Sequence, residues 1–284
     1  MKFSSLVNRR PVQLALAIII AFALLSGLSV AATPANNSLS RGLRYTVSYG
    51  FDQLPQNSVD ILLVGDSSMQ CGVSVPTLQA AGVSSYNSGS PNQTVFESAD
   101  IVEKAFQTQN PRVVVLEVNE VFAGAVATSD AAQAQLQSLL PILKYHDNWK
   151  LLLGGKSTQF DLLKRGFNQS DTVVPYTGGG YMQKTKGDLS MPRRAVEYYD
   201  RIARICQEHG SKLVLLNVPN SSSWNGSYHD AVQTYANEAG LDYIDLNTKL
   251  QDLGLDWSTD TRDGGEHLNT SGATKVANWL ASHV

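Results

Sequence analysis

Two short polar stretches of this chain contain the residue types of a nucleophilic catalytic site. Ser67 follows the apolar run Val59–Val64 across a Gly-Asp turn, and His267 lies in a loop with Asp263 and Glu266 just before it. A serine becomes a nucleophile at neutral pH when a histidine accepts its proton and an acid holds that histidine in the right tautomer. The residue types therefore predict acyl-transfer chemistry at Ser67, if the fold brings the two stretches together.

The elements that must position Ser67 are a buried strand and a sharp turn. Val59–Val64 is almost entirely apolar, which is the pattern of a strand buried on both faces of a sheet. Gly65 lets the chain turn off the strand end, and we expect Asp66 to bind backbone N–H groups in that turn. Ser67 would then lie at the carboxyl end of a parallel sheet, where open α/β folds bind ligands.

The rest of the chain alternates short apolar runs with amphipathic stretches, which is typical of a parallel α/β fold. Further strands are predicted at 83–86, 112–118, 212–218 and 243–246, and helices at 76–81, 94–107, 131–144, 192–209, 227–239 and 271–283. The last helix would begin shortly after His267, with Asn269 or Thr270 as its N-cap. The predicted histidine loop thus lies beyond the last strand.

The first 32 residues predict a membrane segment. Lys2, Arg9 and Arg10 precede an uncharged run from 12 to 32. This run is near the ~20 residues that span a bilayer and exceeds the ~7–15 apolar residues of a cleaved signal core. We expect a retained signal anchor (1–32) with the remainder outside the cytoplasm, followed by a polar linker (33–57). A secreted form, cleaved near Ala32, is the alternative.

The composition fits one globular domain after this leader. The chain has 284 residues, 43% of them hydrophobic, and a formal net charge of −3, so we expect no nucleic-acid partner. It contains neither a metal-ligand spacing nor a dinucleotide glycine motif, so we expect no metal and no cofactor. Cys71 and Cys206 are too few for a disulfide framework, although they could form one bridge in an exported domain.

These motifs resemble those of the SGNH/GDSL hydrolases. The resemblance rests on Gly65–Ser67 after the first strand, Asn87–Gly89 after the second, and Asp263–Ala273 at the end. It covers roughly residues 58–284. The chain looks most similar to membrane-anchored bacterial members that act outside the cell, which tend to carry a segment like Asp256–Asp260 before the acid and the histidine.

The resemblance implies a fold and a set of roles. The fold would be a flavodoxin-like three-layer α/β/α sandwich with a central, mostly parallel five-stranded sheet, placed after the membrane helix, with residues 145–191 inserted near the site. Ser67 would be the nucleophile, His267 the general base and then acid, and Asp263 the residue that orients it. The oxyanion hole would use the N–H groups of Ser67 and Gly89 and the side chain of Asn119.

The acid before His267 departs from the family pattern. The aspartate expected three residues before the histidine is replaced by Gly264, and Asp263 lies one residue earlier. A one-residue bulge would let Asp263 reach the ring. Glu266 is adjacent to His267, and its side chain would diverge from the histidine in extended chain. Asp260 is a reserve candidate.

The third family block, normally Gly-x-Asn-Asp, also departs from the pattern. Asn119 matches the asparagine, but Glu117 stands where the family has glycine. Asn119 is therefore the predicted oxyanion donor, with Asn92 as the alternative.

The function that we predict is that of an extracytoplasmic serine esterase or O-acyltransferase. Its partner would be acylated, foremost acetylated, cell-surface carbohydrate or another small ester. Five aromatic and histidine side chains of the predicted insertion could line a sugar site or simply pack: Tyr145, His146, Trp149, Tyr176 and Tyr181. The alternative is a catalytically silent module that binds glycans or assists envelope assembly; a lipase would need extra apolar surface that the sequence does not show.

Overall fold

A five-stranded parallel sheet forms the centre of the molecule. The computed structural model describes residues 9–32, 47–122, 136, 139–143, 163–185 and 189–284. The strands are β1 (Ile61–Val64), β2 (Ser85–Asn87), β3 (Val113–Glu117), β4 (Lys212–Asn217) and β5 (Asp242–Asp245). Their order is β2-β1-β3-β4-β5, and every neighbouring pair is parallel. This is the flavodoxin-like order, so the predicted fold class is confirmed.

Helices cover both faces of the sheet. They are α1 (Arg9–Ala32), α2 (Ser67–Gly72), α3 (Val75–Ala80), α4 (Val95–Ala105), α5 (Arg193–Glu208), α6 (Gly226–Ala239), α7 (Leu250–Leu253) and α8 (Thr270–His283). Short 3₁₀ turns occupy Gly50–Gln53, Asn119–Val121, Pro141–Leu143 and Leu246–Thr248. Buried residues of α4, α5 and α6 form one core with the sheet, and those of α2, α3 and α8 form the other.

The alternation of side chains along the strands explains why both faces are buried. In β1, Leu62 and Val64 belong to the core under α4 and α5, whereas Ile61 and Leu63 belong to the core under α3 and α8. Successive side chains of a strand point to opposite faces, so a strand with two helical layers must be apolar throughout. That is the pattern that predicted this strand.

Two helix ends near the site follow the sequence signals. Thr94 and Glu97 form a capping box at the start of α4. The side chain of Asn269 accepts a hydrogen bond from the Gly272 N–H at 3.2 Å and caps α8, as predicted. The N-cap of α8 therefore lies two residues after His267, and its first helical residue lies three residues after it.

The predicted linker 33–57 is wrong in its described part, residues 47–57. Tyr49 and Phe51 are buried in the core, and the rings of Phe51 and Tyr86 pack edge to face at 5.8 Å. The Tyr86 hydroxyl also donates a hydrogen bond to the Val47 carbonyl oxygen. The burial of these two aromatic side chains stabilises the packed position of an otherwise polar stretch. The domain thus begins before residue 58.

Other expectations fall partly outside the described residues. Most of the helix predicted at 131–144 and the first part of the predicted insertion lie in the stretches that the structure does not describe. The described part of that insertion, 163–185, contains neither helix nor strand. Cys71 and Cys206 are both buried free thiols, so the optional bridge between them is absent.

The N-terminal helix α1 matches the predicted membrane segment in length and composition. Its stretch Pro11–Val30 has a mean hydropathy of 2.3 and is almost entirely exposed. A signal sequence near the N-terminus has the same properties.

Candidate active site

A tight turn after β1 presents Ser67. A Cβ atom on Gly65 would lie 2.4 Å from the Glu117 Cβ, so β1 and β3 can approach this closely only with glycine at position 65. The Asp66 carboxylate accepts a hydrogen bond from the Ser68 N–H at 2.8 Å and caps α2, whose first residue is Ser67. The serine hydroxyl consequently lies at the carboxyl end of the sheet, as predicted.

Ser67, His267 and Asp263 form a continuous hydrogen-bonded chain. The Ser67 Oγ and the His267 Nε2 are 2.7 Å apart, and the His267 Nδ1 lies 2.5 Å from the Asp263 Oδ2. The other Asp263 oxygen accepts a hydrogen bond from the His267 backbone N–H at 2.8 Å. In this arrangement the carboxylate fixes Nδ1 as the protonated nitrogen and leaves Nε2 free to accept the serine proton.

Two glycines let Asp263 reach the histidine across an extra residue. Gly264 and Gly265 have φ values of +86° and +106°, a backbone region that residues other than glycine rarely adopt. They fold the loop back so that the carboxylate of Asp263 meets both the ring and the backbone of His267. This is the bulge that the spacing required.

Long-range hydrogen bonds hold this loop, and the sequence did not reveal them. The Gly265 N–H donates to the Thr261 Oγ1 at 2.7 Å, and the Ser221 N–H donates to the Gly265 oxygen at 2.8 Å. The Gly264 N–H donates to the Val174 oxygen at 3.0 Å, which ties the loop to the segment 163–185. The loop is thus closed locally by Thr261 and attached to two distant parts of the chain, at Ser221 and Val174.

The other acids considered for His267 have different surroundings. Asp260 is fully buried and contacts the Lys275 Nζ at 2.7 Å, the Ser271 Oγ at 2.7 Å and the Asp256 N–H at 2.7 Å. It therefore joins the loop to α8 and is not the acid that contacts the histidine ring. Glu266 is exposed and lines the cleft beside Ser67.

The predicted oxyanion donors are only partly brought together. The Ser67 N–H belongs to the first turn of α2, where N–H groups have no partner within the helix. The Asn119 side chain lines the cleft and donates one amide hydrogen to the Asp66 Oδ2 at 3.1 Å, which leaves its second amide hydrogen. Asn92, the alternative, also lines the cleft.

Gly89 is placed differently from the prediction. Its N–H donates to the Asn87 side-chain oxygen at 3.0 Å, and it does not line the cleft. The Asn87 side chain in turn donates to the Met69 carbonyl oxygen at 2.8 Å, so the residues after β2 are bonded to α2. This N–H is engaged within the fold, and the oxyanion role of Gly89 stays a prediction.

The cleft beside Ser67 has a volume of about 620 Å³ and a mixed polar and aromatic wall. The rings of Phe122 and Tyr228 stack at 4.1 Å, and Trp224 packs against both. The remaining wall consists mainly of uncharged polar residues: Asn92, Asn119, Gln183, Thr185, Ser221, Ser222, Ser223 and Asn225. The residues of this wall come from separate loops, so no periodic pattern of residues along the chain indicates it.

The two described aromatic residues proposed for a sugar site, Tyr176 and Tyr181, lie outside the cleft wall. Tyr176 and Tyr181 pack edge to face on Trp257, with ring centroids 6.1 Å and 5.5 Å away, and neither lines the cleft. Tyr145, His146 and Trp149 lie outside the described residues.

Cys71 is a packed thiol rather than a second nucleophile. Burial raises its pKa to about 12, although the nearby Arg262 guanidinium opposes this shift. The thiolate, which is the reactive form, is therefore scarce at neutral pH.

Comparison with known proteins gave matches among solved structures alone. No family model and no curated protein matches the chain. Similar structures include a lipase/acylhydrolase from Enterococcus faecalis, with 14% identity, a TM-score of 0.40 and coverage of 78% of this chain and 93% of that one. A family 3 carbohydrate esterase from Clostridium thermocellum has 18% identity, a TM-score of 0.42 and coverage of 78% and 92%. A GDSL-like lipase from Bacteroides thetaiotaomicron has 10% identity, a TM-score of 0.43 and coverage of 87% and 96%.

Proposed function

We propose that this protein is a serine esterase or O-acyltransferase whose catalytic residues are Ser67, His267 and Asp263. The observation that carries the proposal is the contact of the Ser67 Oγ with the His267 Nε2 at 2.7 Å, with Asp263 on the opposite ring nitrogen. A hydroxyl, an imidazole and a carboxylate in this order are the elements of nucleophilic acyl transfer.

In the first half-reaction, the Ser67 Oγ attacks the carbonyl carbon of an ester while the His267 Nε2 takes the serine proton. The Asp263 carboxylate stabilises the imidazolium that forms. The negative charge on the former carbonyl oxygen would be stabilised by the Ser67 N–H and the free amide hydrogen of Asn119, with Asn92 as the alternative donor. The ester C–O bond then breaks, and His267 gives the proton to the leaving alcohol.

In the second half-reaction, water or a sugar hydroxyl attacks the acyl-enzyme. His267 accepts the proton of this nucleophile and returns it to Ser67 as the acyl group departs. Transfer differs from hydrolysis only in which hydroxyl occupies the cleft, so the same residues serve both outcomes.

The lining of the cleft favours a short acyl group on a carbohydrate. Amide and hydroxyl side chains such as Asn92, Gln183 and Asn225 match the hydroxyl groups of a sugar, and the stacked Phe122 and Tyr228 offer an apolar wall. A long acyl chain would need a larger apolar surface. We therefore propose acetyl esters of cell-surface carbohydrate as the substrate.

We further propose that α1 anchors the domain outside the cytoplasm. The basic residues before the apolar stretch of α1 favour an orientation with the N-terminus inside. A domain in this place would meet cell-surface polysaccharide rather than cytosolic metabolites.

The experiment that tests the proposal is labelling of the detergent-solubilised full chain with a fluorophosphonate, together with hydrolysis of p-nitrophenyl acetate. Wild type should react, and Ser67→Ala should lose both signals because the attacking oxygen is removed. Ser282→Ala is the matched control, since Ser282 also contacts a histidine, His283, but at the exposed end of α8. Labelling that persists in Ser67→Ala would contradict the proposal.

The alternative, a catalytically silent glycan-binding module, predicts no labelling of wild type at all. One argument for it was that the acid before His267 was displaced by one residue. That argument loses its force, because the carboxylate of Asp263 lies 2.5 Å from the ring.

A further inference from the structure

Three buried carboxyl groups lie directly behind the turn that presents Ser67. Asp66 is 7% exposed, and Glu117 and Glu120 are fully buried. Their hydrogen-bond donors are neutral groups, including the Ser68 N–H for Asp66, the Asn217 amide for Glu117 and the Ser98 hydroxyl for Glu120. In the part of the chain that the structure describes, no lysine or arginine pairs with any of the three. Such a cluster cannot be fully ionised, since like charges in a buried site repel each other strongly.

Of the two glutamates in this cluster, Glu117 packs against the nucleophile turn. Its Cβ contacts Gly65, so it packs beneath the backbone that leads into Asp66. Its Oε1 accepts a hydrogen bond from the Asn217 Nδ2 at 3.3 Å, whereas its Oε2 has no donor among the described residues. Burial raises the pKa of Glu117 well above its usual value, and the carboxylates of Asp66 and Glu120 raise it further, against a small opposing effect of the Asn119 N–H.

Asp66 has the opposite surroundings. One of its oxygens accepts a hydrogen bond from the Ser68 N–H at 2.8 Å, and the other accepts one from the Asn119 amide at 3.1 Å. Donors of this kind stabilise the charged form of a carboxyl group. The two neighbouring acids therefore differ in their partners: both oxygens of Asp66 accept hydrogen bonds, whereas the Oε2 of Glu117 has no donor among the described residues.

We propose that Glu117, in its protonated form, is a positioning residue that donates a hydrogen bond from Oε2 to the Asp66 carboxylate. Asp66 then stays where it caps α2 beneath Ser67 and holds the Asn119 amide at the cleft. This role rests on the proposed function, because Ser67 and Asn119 matter only if acyl transfer occurs there. It assigns a purpose to the residue that stands where the family pattern has glycine.

Loss of the Glu117 proton would place two like charges against the nucleophile turn. The groups that face Glu117 offer no compensation: Asp66 from the turn after β1, Glu120 from the turn after β3, Asn217 from β4 and Tyr199 from α5. Burial raises the pKa of Tyr199 well above its usual value, so it remains a neutral phenol. Tyr243 of β5 is another titratable group that interacts electrostatically with Glu117. Burial raises the pKa of Tyr243 as well. We therefore expect activity to fall at alkaline pH.

The protonation state can be measured without any activity. The infrared spectrum of the full chain at neutral pH should contain the C=O stretch of a protonated carboxylic acid that disappears in Glu117→Gln. Glutamine keeps the size and retains an N–H donor for Asp66. If the difference between the infrared spectra of wild type and Glu117→Gln contains no such band, Glu117 is ionised. The proposal is then overturned, whether or not the protein is an esterase.

The positioning role is tested by kcat and KM for p-nitrophenyl acetate as a function of pH. Glu117→Leu, which lacks a donor, should lose about 100-fold in kcat with little change in KM, since a small misplacement of reacting groups has that effect. Glu117→Gln should keep kcat near wild type and lose the alkaline decline. Glu120→Gln is the matched control, a second buried glutamate that bonds Ser98 instead. It should keep kcat near wild type at neutral pH and retain an alkaline decline, which moves to lower pH because a like charge near Glu117 is removed.

The outcomes separate this proposal from the proposed function. Inactive wild type with the infrared band present would refute the esterase and leave Glu117 a proton-holding structural acid, which overturns its role in positioning for catalysis. Active wild type with equal kcat values and pH profiles in Glu117→Leu and Glu117→Gln would overturn the positioning role alone. Thermal unfolding of each variant shows whether a loss of kcat merely reflects unfolding.

Discussion

The molecule contains two histidine–aspartate pairs, and a comparison of them shows what makes one suited to catalysis. The His267 Nδ1 lies 2.5 Å from Asp263, and the His229 Nδ1 lies 2.7 Å from Asp245. In each pair the carboxylate fixes the same ring nitrogen. The pairs differ in the groups that contact them and in their exposure to solvent, and these differences determine whether a pair can act on a substrate.

The second pair is part of the packed interior. Asp245 ends β5, and its side chain is 1% exposed; the Trp224 Nε1 and the Asn247 N–H also donate to it, at 3.0 Å and 2.9 Å. His229 belongs to α6, and its ring lies against Tyr243 at 5.6 Å. The pair thus joins a helix to the sheet.

The first pair lies in a loop at the mouth of the cleft. The Asp263 side chain is 37% exposed, and the second nitrogen of His267 meets the Ser67 hydroxyl. A pair of this type becomes a general base only when a reactive hydroxyl meets its free nitrogen at a place that a substrate can reach. The comparison therefore predicts that matched substitutions in the two pairs have opposite effects on activity and stability.

The largest expected difference is between His267→Ala and His229→Ala. Loss of the base at Ser67 should decrease kcat by about 10⁶-fold, as removal of the catalytic histidine does in a serine protease. His229→Ala should keep kcat and reduce the temperature of unfolding. Both are measured with p-nitrophenyl acetate and by thermal unfolding of the full chain, and similar kcat values for the two variants would invalidate the distinction.

A smaller difference is expected between Asp263→Asn and Asp245→Asn. The amide at position 263 would no longer fix the tautomer of His267, and kcat should fall on the order of 10⁴-fold with KM little changed. Asparagine at position 245 should leave kcat near wild type. If Asp263→Asn were fully active, Glu266, the other acid next to His267, would become the candidate for orienting the ring.

The smallest effect concerns the pH dependence of stability. The hydrogen bond to Asp245 raises the pKa of His229 above its usual value, with desolvation opposing. A raised histidine pKa stabilises the folded state fully below the pKa of the unfolded chain, and this contribution is lost as the pH rises through the folded value. Removing the bond with His229→Gln should cost about 1 kcal/mol at mildly acidic pH and less at alkaline pH.

Urea unfolding of wild type and His229→Gln at several pH values between about 5 and 9 measures this difference. The two curves should converge as the pH rises. A constant gap at all pH values would show that the substitution acts through packing alone.

The fold and the position of Ser67 after the first strand could be predicted from the sequence because their signals are local. The apolar run before Gly65 defines a strand with both faces buried, and the glycine marks the turn that presents Ser67. The helix that follows His267 was likewise indicated by Asn269, whose side chain caps it. The distance between Ser67 and His267 then followed from the family resemblance rather than from any spacing.

Features that depend on contacts between distant parts of the chain could not be predicted. The sequence offers no sign that the Gly264 N–H binds the Val174 oxygen, or that Ser221 holds the loop before His267. Glu117 stood out as a departure from the family pattern, but its position against Gly65 depends on the register that pairs Val64 with Leu116. Such contacts arise from tertiary structure, which leaves no periodic pattern behind.

The separation of Ser67 and His267 along the chain has a consequence for biosynthesis. The two residues are 200 positions apart, and His267 is followed directly by the last helix, α8. At the ribosomal rate of about 5–20 residues per second, the serine emerges roughly 10–40 seconds before its partner. During that interval the Ser67 hydroxyl has no imidazole beside it, and its contact with the His267 ring forms only after the loop before α8 has been synthesised.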